Sequence, residues 1–190
     1  IEQAGEDGIG TLTVCNADTQ LFHLDTTVSS FTSWGVAPDL TLKPEITGVG
    51  GSIYSSVDPA ISGSNYGYMS GTSMATPQIA GAMAVLIEYL DANYPKIQGP
   101  AQRKLAANLL MSTANPIMAT STLEYSPRAQ GAGLADLVKA TTTPAYLSNP
   151  KASEGRPKLE LGDDPGKTGV YTFSFTIGNL SDRELTYEIS

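Results

Sequence analysis

The sequence predicts an α/β domain followed by the beginning of an all-β one. Three observations carry this. A helical stretch over 73–90 spaces Ile79, Met83, Leu86, Ile87 and Leu90 by threes and fours. Short β-rich runs precede it, between residues 9 and 34. Beyond Thr141-Thr142-Thr143-Pro144 the chain turns to prolines and to an apolar run of period two.

Taken in order, Ile9-Gly10-Thr11-Leu12-Thr13-Val14, Leu21-Phe22-His23-Leu24 and Val28 to Trp34 read as strands. Residues 35–70, rich in Gly, Pro, Ser and Tyr, read as loops with short strands such as Ile53-Tyr54. The helix at 73–90 carries small residues, Ala75, Ala80, Gly81 and Ala84, that allow close packing, and is expected to lie buried at the centre of the domain. Gly99-Pro100 opens a second helix with Leu105, Leu109 and Leu110 on one face. A third, short helix is expected from Leu134 to Ala140, after Gly131-Ala132-Gly133. Past the boundary, Pro150, Pro157 and Pro165 interrupt regular structure, and Asp163-Asp164-Pro165-Gly166 signals a turn. Val170 to Ile177 then alternates as a half-buried strand, Asn179 to Asp182 turns, and Leu185 to Ile189 forms a second strand. Two strands do not stand alone. They read as the first hairpin of a β-sandwich, so residues 145–190 are expected to be β only, with no helix in 168–190.

Composition removes several functions. The 190 residues hold 11 basic and 19 acidic side chains, a net charge of −8. That balance lacks the basic footprint of a nucleic-acid binder. No apolar run approaches the ~20 residues that span a bilayer. A single cysteine, Cys15, excludes an internal disulfide and a cysteine metal cage. A single histidine, His23, excludes a histidine-rich metal site. The opening Ile1-Glu2-Gln3-Ala4 has neither an initiator Met nor a signal-peptide pattern, so the chain reads as a piece of a larger protein.

The chemistry lies in Gly71-Thr72-Ser73-Met74-Ala75-Thr76-Pro77. Gly71 permits a tight turn and close approach of a substrate. Ser73 falls where loop becomes helix, at the positive end of the macrodipole. The free N–H groups of a first helical turn can hold an oxyanion. Pro77 is expected within the first turn or so, where a missing N–H costs little. A serine placed this way is as readily an N-cap as an acyl-transfer nucleophile, and the second role needs a base within reach.

The longer string decides between them. Gly-Thr-Ser-Met-Ala-x-Pro followed by Ala80-Gly81 resembles the nucleophile segment of the subtilisin-like serine peptidases, the subtilases. Phe31-Thr32-Ser33-Trp34-Gly35 and Leu42-Lys43-Pro44-Glu45-Ile46 resemble two further segments of that family. Gly50, Ile53 and Ser55-Ser56 match the stretch after the second of these. Gly48-Val49-Gly50 departs from the usual Ala-Pro-Gly but keeps its last glycine. Ser126-Pro127-Arg128-Ala129-Gln130-Gly131-Ala132-Gly133 resembles the closing segment of the catalytic domain, in the form of the cell-envelope branch with lactocepins and streptococcal C5a peptidases.

The resemblance implies three regions. Residues 1–27 would return from an inserted protease-associated domain. Residues 28–143 would be the later half of a parallel-sheet catalytic domain. Residues 144–190 would be a linker and the first strands of a fibronectin-like sandwich. It implies a secreted or cell-wall serine endopeptidase, acting on peptides or proteins. Its nucleophile would be Ser73, with Gly71, Thr72 and Tyr68 near the oxyanion and substrate. In this family the triad runs Asp, His, Ser, so the base, its carboxylate and the oxyanion Asn would lie upstream, and the upstream half becomes a partner of this chain. The chain alone would then be inactive. No cofactor is implied for this chain, and calcium is left open for the complete protein. The alternative is a non-catalytic binding module on a degenerate peptidase fold.

The other candidates have plainer roles. His23 sits in Leu21-Phe22-His23-Leu24 and lacks the Gly-Thr that follows the family's catalytic His, so it reads as a strand histidine. Asp25 reads as a strand-end carboxylate and Cys15 as a small buried hydrophobe. Asp163 and Asp164 read as a solvated turn, too few for a calcium site. Trp34, Tyr54, Tyr66 and Tyr68 are candidates to line a groove near Ser73; packing explains Trp34 equally well, while Tyr66 and Tyr68 are close enough in sequence to Ser73 to reach a substrate.

Overall fold

A computed structural model describes residues 26–160 and 163–187. The expected strands at 9–14 and 21–24, with Cys15, His23 and Asp25, lie outside the described residues. In chain order the elements are β1 (Ile53–Ser56), α1 (Pro59–Ser62), β2 (Tyr66–Met69), α2 (Thr72–Asn93), α3 (Pro100–Ser112), α4 (Pro127–Gln130), α5 (Leu137–Thr142), β3 (Ala145–Ser148) and β4 (Thr176–Asn179), with a 3₁₀ turn at Ser153–Gly155.

The core forms where α2, α3 and α5 meet. Leu86 and Leu90 of α2, Leu105, Ala106, Leu109 and Leu110 of α3, and Ala140 of α5 are buried together. Ile79, Met83 and Ile87 extend the same stripe of α2 onto that cluster, as their spacing predicts. The expected central burial of the whole helix is not observed. Ser73, Thr76, Pro77, Ala80, Gly81, Ala84 and Val85 are exposed, because no described element covers that face of α2. Pro77 is also deeper than expected. The helix begins at Thr72, so Pro77 is its sixth residue, and its missing N–H leaves the Ser73 carbonyl without its i+4 donor.

Regular sheet is sparse. β1 and β2 form an antiparallel hairpin, Tyr54 opposite Tyr68 and Ile53 opposite Met69. Parallel pairing among the described residues amounts to one bridge, Thr47 to Leu134, and Leu134 also bridges to Asn115. The segment 28–34 is not a strand. Its Thr32 N–H closes a turn onto the Ser29 carbonyl, and the next bond, Gly35 N–H to the Arg128 carbonyl, goes to a loop. The third helix starts at Leu137 rather than Leu134, since Leu134 and Ala135 are taken by bonds to Asn115 and Thr47 and Asp136 becomes the N-cap.

The carboxy-terminal part differs from the expected hairpin. β4 pairs antiparallel with β3, Leu147 opposite Ile177, while 170–175 and 184–187 carry no ladder. Burial explains the choice. Tyr146 and Leu180 pack on the helical core, and the Leu180 N–H bonds the Pro144 carbonyl at 2.7 Å. That anchoring draws in the end of the apolar run and leaves Tyr171, Phe173 and Phe175 exposed. The 3₁₀ turn at Ser153–Gly155 likewise departs from a β-only reading of 145–190.

Candidate active site

Ser73 is the second residue of a 22-residue helix and is exposed. Helix geometry gives the Thr72 and Ser73 N–H groups no intrahelical acceptor, so both are free to donate to an anion. The turn that presents them is held from below. The Gly71 N–H donates to the Gly50 carbonyl at 2.8 Å, and the Ser52 N–H donates to Ser70 Oγ at 2.8 Å. Gly50 has to be glycine for this approach: a Cβ there would lie 2.7 Å from the Gly71 oxygen and 3.2 Å from Ala75 Cβ. The glycine retained in Gly48-Val49-Gly50 thus supports the turn that carries Ser73 directly.

Two clefts flank this turn. One, of about 340 Å³, is lined by Ser73, Met74 and Pro77 of α2 and by Ile53, Val57 and Met69 of the hairpin side. The other, of about 450 Å³, takes in Thr72 and Ala75, the 48–51 segment and Phe31. Thr72 and Ser73 therefore stand on a ridge between an apolar cleft and a second one. Tyr68 does not share the Ser73 cleft. Side chains alternate along β2, so Gly67 and Met69 face Ser73 while Tyr66 and Tyr68 point to the opposite face. There Tyr54 stacks between them, its ring 4.9 Å from Tyr68 and 6.0 Å from Tyr66. Trp34 is exposed and lines neither cleft.

The motifs that lie far apart in sequence meet in space. Arg128 Nε donates to the Gly35 carbonyl at 2.7 Å, joining 126–133 to 31–35. The Ala132 N–H donates to the Glu45 carbonyl at 3.0 Å, joining it to 42–46. Gly131, at φ 64°, has no room for a Cβ against the Glu45 backbone. Buried Gln130 ties the loop together, accepting from the Ile117 N–H at 2.6 Å and donating to the Tyr125 carbonyl at 2.6 Å. Sequence reasoning quoted Gln130 and Arg128 as motif letters without giving them this bracing role.

No histidine occurs among the described residues, and no His, Cys, Asp or Glu group of three is placed to hold a metal there. Asp164, one of the two aspartates weighed for calcium, is used by its own turn. It accepts from the Gly169 N–H at 2.7 Å and the Thr168 hydroxyl at 3.2 Å, and the Gly169 bond first among these holds its carboxyl below the usual range.

The structure thus places an exposed serine at a helix start, with free first-turn donors and a glycine-braced turn beneath. The family model described as the subtilase family matches residues 3–133, and the chain belongs to that family. Among curated proteins, a PII-type proteinase of Lacticaseibacillus paracasei is 39% identical over 176 residues, which cover 85% of this chain and 9% of that protein. A PIII-type proteinase of Lactococcus lactis subsp. cremoris is also 39% identical over 176 residues, with 8% of its length covered. A C5a peptidase of Streptococcus pyogenes is 34% identical over 166 residues, 86% of this chain and 14% of that protein. The chain spans about a tenth of the length of these relatives. No described helix is long and apolar enough to cross a membrane.

Proposed function

We propose that this chain is the nucleophile-bearing portion of a subtilisin-like serine endopeptidase that is secreted or held at the cell wall and acts on peptides or proteins. The carrying observation is the exposed Ser73 at the start of α2, on a ridge between two clefts, with the Thr72 and Ser73 N–H groups free. Ser73 Oγ attacks the scissile carbonyl and passes its proton to an imidazole from the upstream half. An upstream carboxylate orients that imidazole. The Ser73 N–H and an upstream amide hold the oxyanion, and Gly71 keeps the approach to it open. The apolar cleft beside Ser73 receives the substrate next to the scissile bond. Tyr68, on the far face of the hairpin, meets only a substrate that extends past that cleft. Residues 28–143 form the later part of the catalytic domain, residues 1–27 lead into it from an inserted domain, and 144–190 begin a fibronectin-like domain.

The test is covalent labelling of the complete protein with a fluorophosphonate, followed by peptide mapping. Label on Ser73, together with a fall in kcat of about 10⁴-fold or more in Ser73→Ala, is expected. Peptidase activity that survives Ser73→Ala would overturn the assignment. An unlabelled Ser73 in a folded protein would leave a binding module on a peptidase fold.

A further inference from the structure

The support under the nucleophile turn continues to a charged cluster far from it in sequence. Residues 149–160 form a strap across the domain. Asn108 of α3, buried, donates to the Gly155 carbonyl at 3.0 Å and fixes the strap to the core, and Asn149 donates to the Lys158 carbonyl at 2.8 Å and ties the strap's two ends together. Its far end closes on Leu42 from both sides: Glu160 Oε1 accepts from the Leu42 N–H at 2.6 Å, and Lys158 Nζ donates to the Leu42 carbonyl at 3.1 Å. Three cations converge on Glu45. Lys43 lies at 2.9 Å, Arg156 at 3.5 Å and Lys158 at 3.6 Å, the last with its side chain only 6% exposed. Burial works against the Glu45 charge, but the Lys43 hydrogen bond and the three cations outweigh it and hold the carboxyl below its usual range.

We propose that Glu45 is a positioning residue for the nucleophile: gripped by Arg156 and Lys158 of the strap, it fixes the 46–50 segment on which the Gly71–Ala75 turn rests. The proposal builds on the peptidase reading of Ser73. The path is short and made of backbone. The Glu45 carbonyl accepts from Ala132, and Thr47 exchanges bonds with Gly133 and Ala135, so the segment has no slack at 45–47. Three residues on, the Gly50 carbonyl holds the Gly71 N–H. Between them Gly48 lies so near α2 that a Cβ would stand 3.0 Å from the Ala75 carbonyl. A displacement of Glu45 is therefore carried to the N–H groups that receive the oxyanion. A strap that merely stapled the domain together would change how much enzyme is folded, and would leave each folded molecule as fast as before.

The experiment counts active sites in the complete peptidase by fluorophosphonate titration and reports kcat and KM per titrated site. Glu45→Gln keeps shape and removes the charge that Arg156 and Lys158 grip. Lys158→Met keeps the buried stem and removes one grip, and serves if Glu45→Gln fails to fold. The expected result in either variant is a fall in kcat per titrated site of about tenfold, with KM within about twofold. A kcat per titrated site within about twofold of wild type, with only the titratable fraction or thermal stability reduced, overturns the positioning role. Wild-type protein that does not titrate at Ser73 at all overturns the peptidase reading itself, which separates the two failures.

Discussion

Replacing Gly50 by alanine tests the contact on which the site depends. The added methyl would sit 2.7 Å from the Gly71 carbonyl oxygen and 3.2 Å from Ala75 Cβ. A methyl and a carbonyl oxygen rest comfortably at about 3.3 Å or more, so the two backbones must part by about half an ångström. The neighbours that would have to give way are backbone atoms and a short side chain, with no flexible end to move aside. Overpacking of this kind costs about 1–3 kcal/mol. The movement also loosens the Gly50 carbonyl from the Gly71 N–H, now 2.8 Å away, and tilts the peptides that follow it at Thr72 and Ser73. Misplacing a catalytic group by 1 Å can cost about 10²-fold, so half that displacement predicts about a tenfold loss in kcat. The internal control is one residue away. A Cβ on Gly51 would meet only Ser29 Oγ, at 3.7 Å, an ordinary contact. Gly51→Ala is expected to hold kcat within about twofold and stability within about 0.5 kcal/mol. Under the proposed function, both variants of the complete protein are measured by kcat per titrated site. Equal behaviour of the two variants, whether both normal or both impaired, refutes the reasoning.

Two further outcomes are expected. Leu109→Ala empties a fully buried position between α2, α3 and α5 and lowers hydrogen-exchange protection in α2 and α3 by about 2–5 kcal/mol. Asp136→Ala removes the N-cap of α5 and costs about 1 kcal/mol near neutral pH, read from exchange in 137–142. The Lys139 N–H, then Asn115, hold the Asp136 carboxyl below its ordinary 3.8, so its stabilisation is full above that pH and is lost as the pH falls through the lowered value. The difference between wild type and Asp136→Ala should therefore close in strong acid and persist at neutrality.

What could be read from the sequence was local. The stripe Ile79, Met83, Leu86, Ile87, Leu90 and the Gly99-Pro100 start placed α2 and α3 within a few residues. Asp58-Pro59 and Ser126-Pro127 carry the same kind of start, an N-cap followed by proline, and went unread because α1 and α4 are one turn long. The alternation at 170–177 was legible, but its partner was not. Strand pairing is settled by what the flanking residues bury, and Tyr146 and Leu180 reach the helical core from either side of a gap of more than thirty residues. The place of Ser73 at a helix start was legible because its motif is compact. Glu45 was not, because Arg156 and Lys158 approach it from over a hundred residues away.

The packing of α2 and the chemistry proposed for Ser73 bear on the same neighbour. One face of the helix buries Leu86 and Leu90 completely, while another exposes Ala80, Gly81, Ala84 and Val85. Nothing lies within 4 Å of a Cβ built on Gly81. Small residues on a bare helix face suit a neighbour that approaches backbone to backbone, and a solvated face would be served as well by Lys or Glu. On the same helix Ser73 has free N–H donors and two open clefts, and no imidazole among the described residues. The uncovered face and the exposed serine thus belong to one helix. Under the proposed function a single body, the upstream half of the domain, covers the face and brings the base as it docks. Folding of that half onto α2 and assembly of the catalytic site are then the same event, with the 46–50 segment and its Glu45 anchor holding the nucleophile turn in place to receive it.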